Sequence, residues 1–322
     1  MMEQVLERLL TGEIISGQGL SEELGVTRAA VWKQLERLRE LGFAIEAQGR
    51  QGYRLSSCPD SLLAPMVQQG LTTRWAGRKV IYLDEVDSTN RYARKIAAQG
   101  APCGTLVLAG TQTAGRGRRG RGWVSPEGEG IFMTLILMPQ AHPSRLALLS
   151  LQTALAVAEG IEKAAGLEAK IKWPNDVVCG GKKVVGILLE MNADEERVHD
   201  VVAGIGINVH QKDFGDLSAT ATSLDVQAGR SISRAEVVRA FLTAYERIDA
   251  LAAENREAFM DAYRARSATI GQRVQVIGVD RTFVGTAKDV TASGALLVEE
   301  DGAGLCEVLA GDVSVRGLMG YV

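Results

Sequence analysis

The sequence has little of the residues that mark secreted, metal-binding or membrane proteins. Its 322 residues include four cysteines and three histidines. No two cysteines form a C-x-x-C pair and the histidines are not spaced as ligands beside them, so neither a zinc site nor a disulfide framework is expected. The N-terminus has no apolar segment typical of a signal peptide. The longest apolar run, around residues 131–138, is far shorter than the roughly 20 residues that span a bilayer. We therefore expect a soluble, cytoplasmic protein with no membrane association.

A large excess of charge of either sign is also missing. The 36 lysines and arginines nearly balance the 39 acidic residues, which leaves a net charge of −3. Any nucleic-acid-binding surface must therefore be local. Apolar residues make up 46% of the chain, enough for the cores of two or three domains. The patterns of apolar and turn-forming residues differ along the chain and predict an α+β protein with domains at residues 1–60, 61–268 and 269–322.

The first region has the pattern of a winged helix-turn-helix. Apolar residues at helical spacing follow Met1, Ser16 begins a second helix that ends at Gly25, and Thr27 begins a third that ends at Gly42. Residues 44–47 and 53–55 flank a glycine turn and predict a small hairpin. The third helix is expected to expose several basic residues, Arg39 among them. The residues predicted to contact DNA are Thr27, Arg28, Ala29, Trp32, Lys33, Arg37 and, on the wing, Arg50. The alternative is a helical protein-interaction module.

The middle region predicts a mixed β-sheet packed by helices. Strands are expected at residues 80–83, 106–109, 131–137, 169–173, 184–190 and 201–209, and helices at 91–99, 144–165 and 234–254. Hairpins outnumber crossovers, which disfavours a doubly wound fold. The last region predicts a small β-barrel, with short strands at 274–277, 282–286, 295–298, 307–309 and 313–315.

Residues 115–123 read GRGRRGRGW and predict a phosphate-binding loop. Four glycines let the backbone approach a ligand closely, and four arginines supply donors for phosphate oxygens. The pattern G-x-G-x-x-G also occurs here, but Pro126 and Gly128 interrupt the helix that a dinucleotide-binding loop should open. Taken alone, the loop is equally compatible with a solvated or RNA-binding basic segment.

Other motifs accompany the loop in a fixed order. Asp87-Ser88-Thr89-Asn90 and Gln112 precede it; Lys172-Trp173-Pro174-Asn175-Asp176, residues 183–188 (KVVGIL) and residues 204–208 (GIGIN) follow. Together they resemble the biotin–protein ligase family, over the whole chain and including the N-terminal unit. The resemblance is to the bifunctional class, which also represses biotin-synthesis genes. It implies a central domain like those of class II synthetases and biotinyl/lipoyl ligases, and an SH3-like C-terminal barrel.

The resemblance implies two substrates, biotin and ATP, with Mg²⁺ accompanying ATP. Biotin would be activated as biotinyl-5'-AMP and transferred to a lysine of a biotin carboxyl carrier protein. The other implied partners are operator DNA and a second copy of the chain, in a homodimer promoted by biotinyl-AMP. Two rivals stay open: a ligase whose N-terminal unit does not bind DNA, and a non-catalytic biotin-sensing regulator.

The resemblance also assigns residues. Lys183 is the candidate that touches both the biotin carboxylate and the α-phosphate; Arg118 is the second catalytic candidate, paired with Arg116 as an anion contact. Arg119 and Arg121 either contact the nucleotide, fix the loop or stay solvated. The candidate biotin contacts are Ser88, Thr89, Asn90, Gln112, Arg116, Gly117, Arg118, Lys183 and Gly186. The candidate ATP or adenylate contacts are Gly115, Arg116, Arg118, Arg119, Arg121, Trp123, Asn175, Asp176, Lys183 and Asn208.

Several of these residues also have a purely structural interpretation. Ser88 and Thr89 suit the start of a helix as well as a ureido ring. Trp123 suits core packing as well as stacking on adenine. Asn175 and Asp176 suit a turn as well as the binding of ATP or its magnesium. Gly204 and Gly206 are expected to permit a close approach within a strand.

Overall fold

The computed structural model describes residues 1–139, 146–194, 198–278, 281–310, 314–317 and 321. The chain forms two compact units, residues 1–71 and residues 72–322. The predicted division at residues 60 and 268 stays a prediction. Among the described helices, none is long and apolar enough to cross a membrane.

The first unit holds the predicted helices and hairpin. Its elements are α1 (Met2–Leu9), α2 (Gly17–Leu24), α3 (Arg28–Glu40), β1 (Ala44–Ala47), β2 (Tyr53–Ser57) and α4 (Ala64–Gln68). The predicted caps are present: the Ser16 hydroxyl accepts from the Gly19 amide at 2.8 Å, and Thr27 accepts from the Ala30 amide at 3.2 Å. The apolar faces of the helices meet in a core that includes Leu6, Leu20 and Leu35. This confirms the winged helix-turn-helix pattern.

The second unit is built on a seven-stranded mixed sheet with strand order β3-β4-β5-β9-β8-β7-β6. Of its described pairings, β3 with β4 is parallel and the others are antiparallel. The strands are β3 (Val80–Val86), β4 (Leu106–Gln112), β5 (Gly130–Leu137), β6 (Lys170–Lys172), β7 (Asp176–Cys179), β8 (Lys182–Ala193) and β9 (Val198–Asn208). The mixed sheet was predicted, but β7 was not, because its few residues follow Pro174 and resemble a turn.

The helices of this unit are α5 (Thr89–Ala97), α6 (Leu146–Ala165), α7 (Leu224–Ala228), α8 (Arg234–Glu254) and α9 (Arg256–Ala265). Helices α5 and α6 pack on the sheet, and α8 packs on α6. The prediction for α8 is confirmed, and that for α6 begins at residues outside the described range. Helix α9, which starts directly after α8, was not predicted from the sequence. Asn255 separates them: its side chain caps α9 by accepting from the Ala258 amide at 3.1 Å.

The C-terminal strands form a five-stranded antiparallel sheet with order β13-β12-β11-β10-β14. They are β10 (Arg273–Ile277), β11 (Thr282–Val290), β12 (Leu296–Glu300), β13 (Gly304–Val308) and β14 (Ser314–Gly317). Each lies at or beside a predicted strand; Val313, in the last prediction, is outside the described residues. Trp173 joins this sheet to the central one, because its indole donates to the Gly294 carbonyl at 3.1 Å.

Candidate functional site

One face of the central sheet carries a pocket of about 630 Å³, a size typical of small-molecule sites. It lies between the start of α5, the middle of β8 and β9, the β6–β7 turn, loop 115–123 and the end of the chain. The predicted ligand contacts that line it are Ser88, Thr89, Asn90, Gln112, Arg116, Gly117, Arg118, Arg119, Arg121, Trp123, Asn175, Asp176, Lys183 and Gly186. Gly115 and Asn208 do not line it. Asn208 instead donates to the Thr222 carbonyl at 3.1 Å.

Neutral, buried side chains form the end of the pocket beside α5. The side-chain oxygen Oε1 of Gln112 accepts from the Thr89 amide at 2.9 Å. Thr134, fully buried on β5, lies 2.8 Å from the Thr89 hydroxyl and 2.7 Å from Asn90 Oδ1. Asn90 Nδ2 donates to Glu190 at 2.8 Å and to the Leu188 carbonyl at 3.2 Å. Protein partners thus fix the orientation of the Asn90 amide before any ligand binds.

Ser88 occupies the residue before α5, as the capping alternative requires, but its side chain makes no capping hydrogen bond. It is 2% exposed and lines the pocket. Capping of α5 therefore does not explain why a serine hydroxyl is buried at this position.

Cationic side chains gather at the other end, around the β6–β7 turn and the basic loop. The lining residues that the structure describes include seven lysines and arginines and a single carboxylate, Asp176. Lys183 Nζ lies 2.6 Å from Asp176 Oδ1. Arg118 donates to Asn175 Oδ1 at 3.0 Å and also to the Ala310 carbonyl. This end of the pocket is therefore suited to a ligand with several negative charges.

Loop 115–123 folds back on itself. Arg116 and Gly122 form an antiparallel bridge, and the Gly117 amide donates to the Arg121 carbonyl at 2.7 Å. Arg119, at the tip, has a φ of 56°, a left-handed conformation that is uncommon outside glycine. The loop does not open a helix of the length that a dinucleotide site needs.

Trp123 lies on a floor made by two glycines of neighbouring strands. Gly186 on β8 pairs with Gly206 on β9. A Cβ at Gly186 would come within 2.6 Å of the indole, and one at Gly206 would overlap it. The expected close approach at Gly206 is thus confirmed, and a Cβ at Gly204 would similarly overlap Asn90. The indole Nε1 is buried without a hydrogen-bond partner among the described residues.

The first unit carries a separate candidate interface for nucleic acid. All the predicted DNA contacts are exposed: Thr27, Arg28, Ala29, Trp32, Lys33, Arg37 and Arg50. Trp32 is 57% exposed, which is unusual for so large an apolar side chain. Arg39 was expected to be exposed on this helix, and that was wrong. It pairs with Glu36 and donates to the Ile45 carbonyl at 2.9 Å, so it holds the wing.

Comparison with known proteins agrees with both regions. A model of the Biotin/lipoate A/B protein ligase family matches residues 82–208, an HTH domain model matches residues 2–54, and a model of the biotin protein ligase C-terminal domain matches residues 269–316. The "Bifunctional ligase/repressor BirA" of Bacillus subtilis is 42% identical over 94% of both chains. The chain belongs to the biotin–protein ligase family.

Two more distant members of this family extend the likeness. The Escherichia coli "Bifunctional ligase/repressor BirA" is 29% identical over 97% of this chain and 96% of its own. The structure of the Aquifex aeolicus biotin protein ligase in complex with biotin and ATP is 30% identical, with a TM-score of 0.65. It covers 74% of this chain and 99% of that one.

Several residues in or beside the pocket of this family member were not predicted from the sequence. Lys172 stands in a quoted motif but received no role; it is 8% exposed, and its ammonium lies 3.4 Å from the centroid of the Tyr321 ring. Burial lowers the pKa of Lys172 to about 8, Asp176 opposes this, and Lys183 and Arg316 add to it. Tyr321 lines the pocket, and Thr134 contacts the lining residues Thr89 and Asn90 from β5. Neither had a signal in the local sequence, because nothing there shows that these distant segments come together.

Proposed function

We propose that this chain is an ATP-dependent biotin–protein ligase that also acts as a biotin-responsive repressor. The observation that carries the ligase activity is the two-ended pocket, neutral beside α5 and cationic around the β6–β7 turn. Biotin has a neutral ureido ring and an anionic carboxylate, and ATP brings the phosphates. A pocket with these two ends can hold both substrates with their reacting atoms together.

In the first step, a carboxylate oxygen of biotin attacks the α-phosphorus of ATP. The new P–O bond gives biotinyl-5'-AMP, and pyrophosphate leaves with the electrons of the broken bond. In the second step, the amine of an acceptor lysine attacks the biotinyl carbonyl carbon. AMP leaves, the nitrogen loses a proton, and an amide remains. The acceptor lysine would be that of a biotin carboxyl carrier protein.

The chain itself needs no nucleophile, because its substrates react with each other. Two unit charges about 4 Å apart repel by about 4 kcal/mol at an effective dielectric constant of about 20. Lys183 and Arg118 would offset this repulsion and stabilise the charge that develops at phosphorus. Lys183 suits the central role because a compact ammonium can contact one oxygen of each substrate.

Ser88, Thr89 and Gln112 would bind the ureido ring of biotin. The ring is uncharged, with both donors and acceptors, so neutral partners recognise it without a desolvated charge. Thr134 contacts both Thr89 and Asn90, and so holds the start of α5 in place. Trp123 would cover the ligand from the loop side.

Mg²⁺ would enter with ATP. The described residues contain no cluster of three or more carboxylate, cysteine or histidine side chains that could hold a metal ion. Both oxygens of Asp176 are engaged, by Lys183 and by Tyr321. Magnesium is commonly bound through substrate phosphates with few protein ligands, and the phosphates would supply most of its coordination here. Bound in this way, it would neutralise phosphate charge.

The repressor activity rests on the exposed face of α3. Lys33 and Arg37 lie at i and i+4 with Trp32 beside them, and Arg50 is at the tip of the hairpin. In a winged helix-turn-helix, such residues contact the major groove and the flanking phosphates. A single small unit reads few base pairs, so a homodimer on a palindromic operator is expected, with biotinyl-5'-AMP promoting the dimer.

The decisive experiment for the ligase is biotin-dependent exchange of labelled pyrophosphate into ATP with the purified chain. Exchange requires biotin, ATP and reversible adenylate formation, so we expect it only with both substrates present. No exchange would leave a non-catalytic biotin sensor as the better interpretation. A mobility shift of the chain's own biotin-gene promoter, with biotin and ATP, tests the repressor. No shift at any ligand concentration would leave a ligase alone.

A further inference from the structure

Tyr321, near the C-terminus, reaches the pocket and contacts its only lining carboxylate among the described residues. Its hydroxyl donates to Asp176 Oδ2 at 2.6 Å, while Asp176 Oδ1 lies 2.6 Å from Lys183 Nζ. Oδ2 therefore accepts the hydrogen bond of the phenol, whereas Oδ1 contacts Lys183 as an ion pair without hydrogen-bond geometry. We propose that Tyr321 is a positioning residue for adenylation, which fixes Asp176 and thereby holds Lys183 where the two substrates meet.

The direction of the hydrogen bond is settled by the environment of the phenol. Burial, and then the charge of Asp176, raise the pKa of Tyr321 far above its ordinary value of 10. The phenol therefore keeps its proton and donates a hydrogen bond to the carboxylate. A hydrogen bond to a charged acceptor is shorter and stronger than one between neutral groups.

The ring of Tyr321 has an anchor of its own. The ammonium of Lys172 lies 3.4 Å from the ring centroid, a cation–π geometry that a phenylalanine would keep. Replacing the tyrosine by phenylalanine therefore removes the hydroxyl and leaves the ring in place. The effect of the hydroxyl can be measured apart from the packing of the C-terminal segment.

The consequence for Lys183 follows from the geometry of the carboxylate. With Oδ2 held by Tyr321, the Asp176 side chain cannot rotate freely, and Oδ1 stays directed at the ammonium. Without the phenol, both oxygens compete for Lys183, and its position is less well defined. A misplaced cation costs rate more than affinity, because reaction depends on precise alignment of the reacting groups. This inference rests on the proposed ligase function.

The test compares Tyr321→Phe with a matched control, Tyr263→Phe. Tyr263 is also buried, and its hydroxyl has no hydrogen-bond partner among the described residues. In biotin-dependent pyrophosphate exchange, we expect Tyr321→Phe to lower kcat roughly tenfold with the KM for biotin changed less than twofold. Tyr263→Phe should match the wild type. An unchanged kcat, or a lower KM for ATP at unchanged kcat, would overturn the proposal; the second result would show that the ring merely obstructs the nucleotide.

A double-mutant cycle excludes a merely structural role. Since Tyr321 acts through Asp176, Tyr321→Phe should lower kcat no further in an Asp176→Asn background, and an equal loss in that background refutes the mechanism. The hydrogen bond between Tyr321 and Asp176 is tested without substrates. The free energy of unfolding is measured for the two single variants and the double variant, and additive losses would contradict the contact. Absence of exchange in the wild type would instead defeat the proposed function, so the two failures are distinguishable.

Discussion

Lys182 and Lys183 are adjacent in sequence but have different surroundings. Lys183 contacts Asp176 inside the pocket, whereas Lys182 donates to the Ser218 carbonyl and does not line the pocket. Lys183→Ala should lower pyrophosphate exchange by roughly a hundredfold, because one cation that stabilises the developing charge is lost. Lys182→Ala is the matched control and should stay within twofold of the wild type. Equal rates for both variants would refute the role of Lys183.

Lys172 should give the chain a specific pH dependence of stability. Its pKa is about 8 in the folded chain, below its ordinary value of 10.5. Between these pH values the unfolded chain binds the extra proton, so the free energy of unfolding rises with pH. Urea unfolding of the wild type and Lys172→Met should therefore show a difference that grows in favour of the wild type as pH rises through this window. Arginine does not titrate in this range, so Lys172→Arg should show the same pH dependence as Lys172→Met. A difference in the free energy of unfolding that does not change with pH would contradict the lowered pKa of Lys172.

Residues within motifs were predictable from the sequence, whereas the residues that contact them and hold them in place were not. Ser88, Gln112, Arg118 and Lys183 were identified as candidates, and all line the pocket; their individual roles stay predictions. Thr134 shows why the rest was missed. A threonine within an apolar strand has no local feature that marks it as a partner of Thr89, 45 residues earlier in the chain. Such contacts depend on strand order, which the local sequence does not specify.

At the scale of elements, segments with a clear period or with flanking caps and turns were predicted, whereas α9 and the short segments β7 and α7 were not. The full length of α8 was predicted, and so was the pattern of α1 to α3, with the serine cap of α2 and the threonine cap of α3. The strand β7 has four residues and α7 has five. Segments of that length bury too little apolar surface to show a clear period, and tertiary contacts determine their conformation.

The paired glycines of β8 and β9 give a prediction at this scale. A Cβ at Gly206 would overlap the Trp123 indole, so Gly206→Ala should force Trp123 off the strands and towards solvent. Acrylamide quenching of tryptophan fluorescence should increase as a result. The chain has four tryptophans, and the control is therefore Gly206→Ala in a Trp123→Phe background, where quenching should not increase. An increase in both backgrounds would mean that the strands themselves were disturbed.

At the scale of the whole molecule, the two units separate DNA contact from catalysis. Lys33 and Arg37 belong to unit 1, and every residue that lines the pocket belongs to unit 2. Lys33→Ala and Arg37→Ala should each weaken the operator shift and reduce its salt dependence by about one phosphate contact. Pyrophosphate exchange should be unchanged. Glu7→Ala, on α1 of the same unit, is the control for the shift; full operator affinity in both basic-residue variants would move the DNA contact elsewhere.

The division of the pocket into a neutral and a cationic end has a consequence for its response to ionic strength. Contacts between neutral groups are little affected by mobile ions, whereas charge–charge attraction weakens as the screening length falls from about 10 Å at 0.1 M salt to about 3 Å at 1 M. Added salt should therefore weaken the binding of ATP far more than that of biotinol, the uncharged alcohol analogue of biotin. Biotin itself carries one negative charge and ATP carries several, so added salt should raise the KM for ATP more than the KM for biotin.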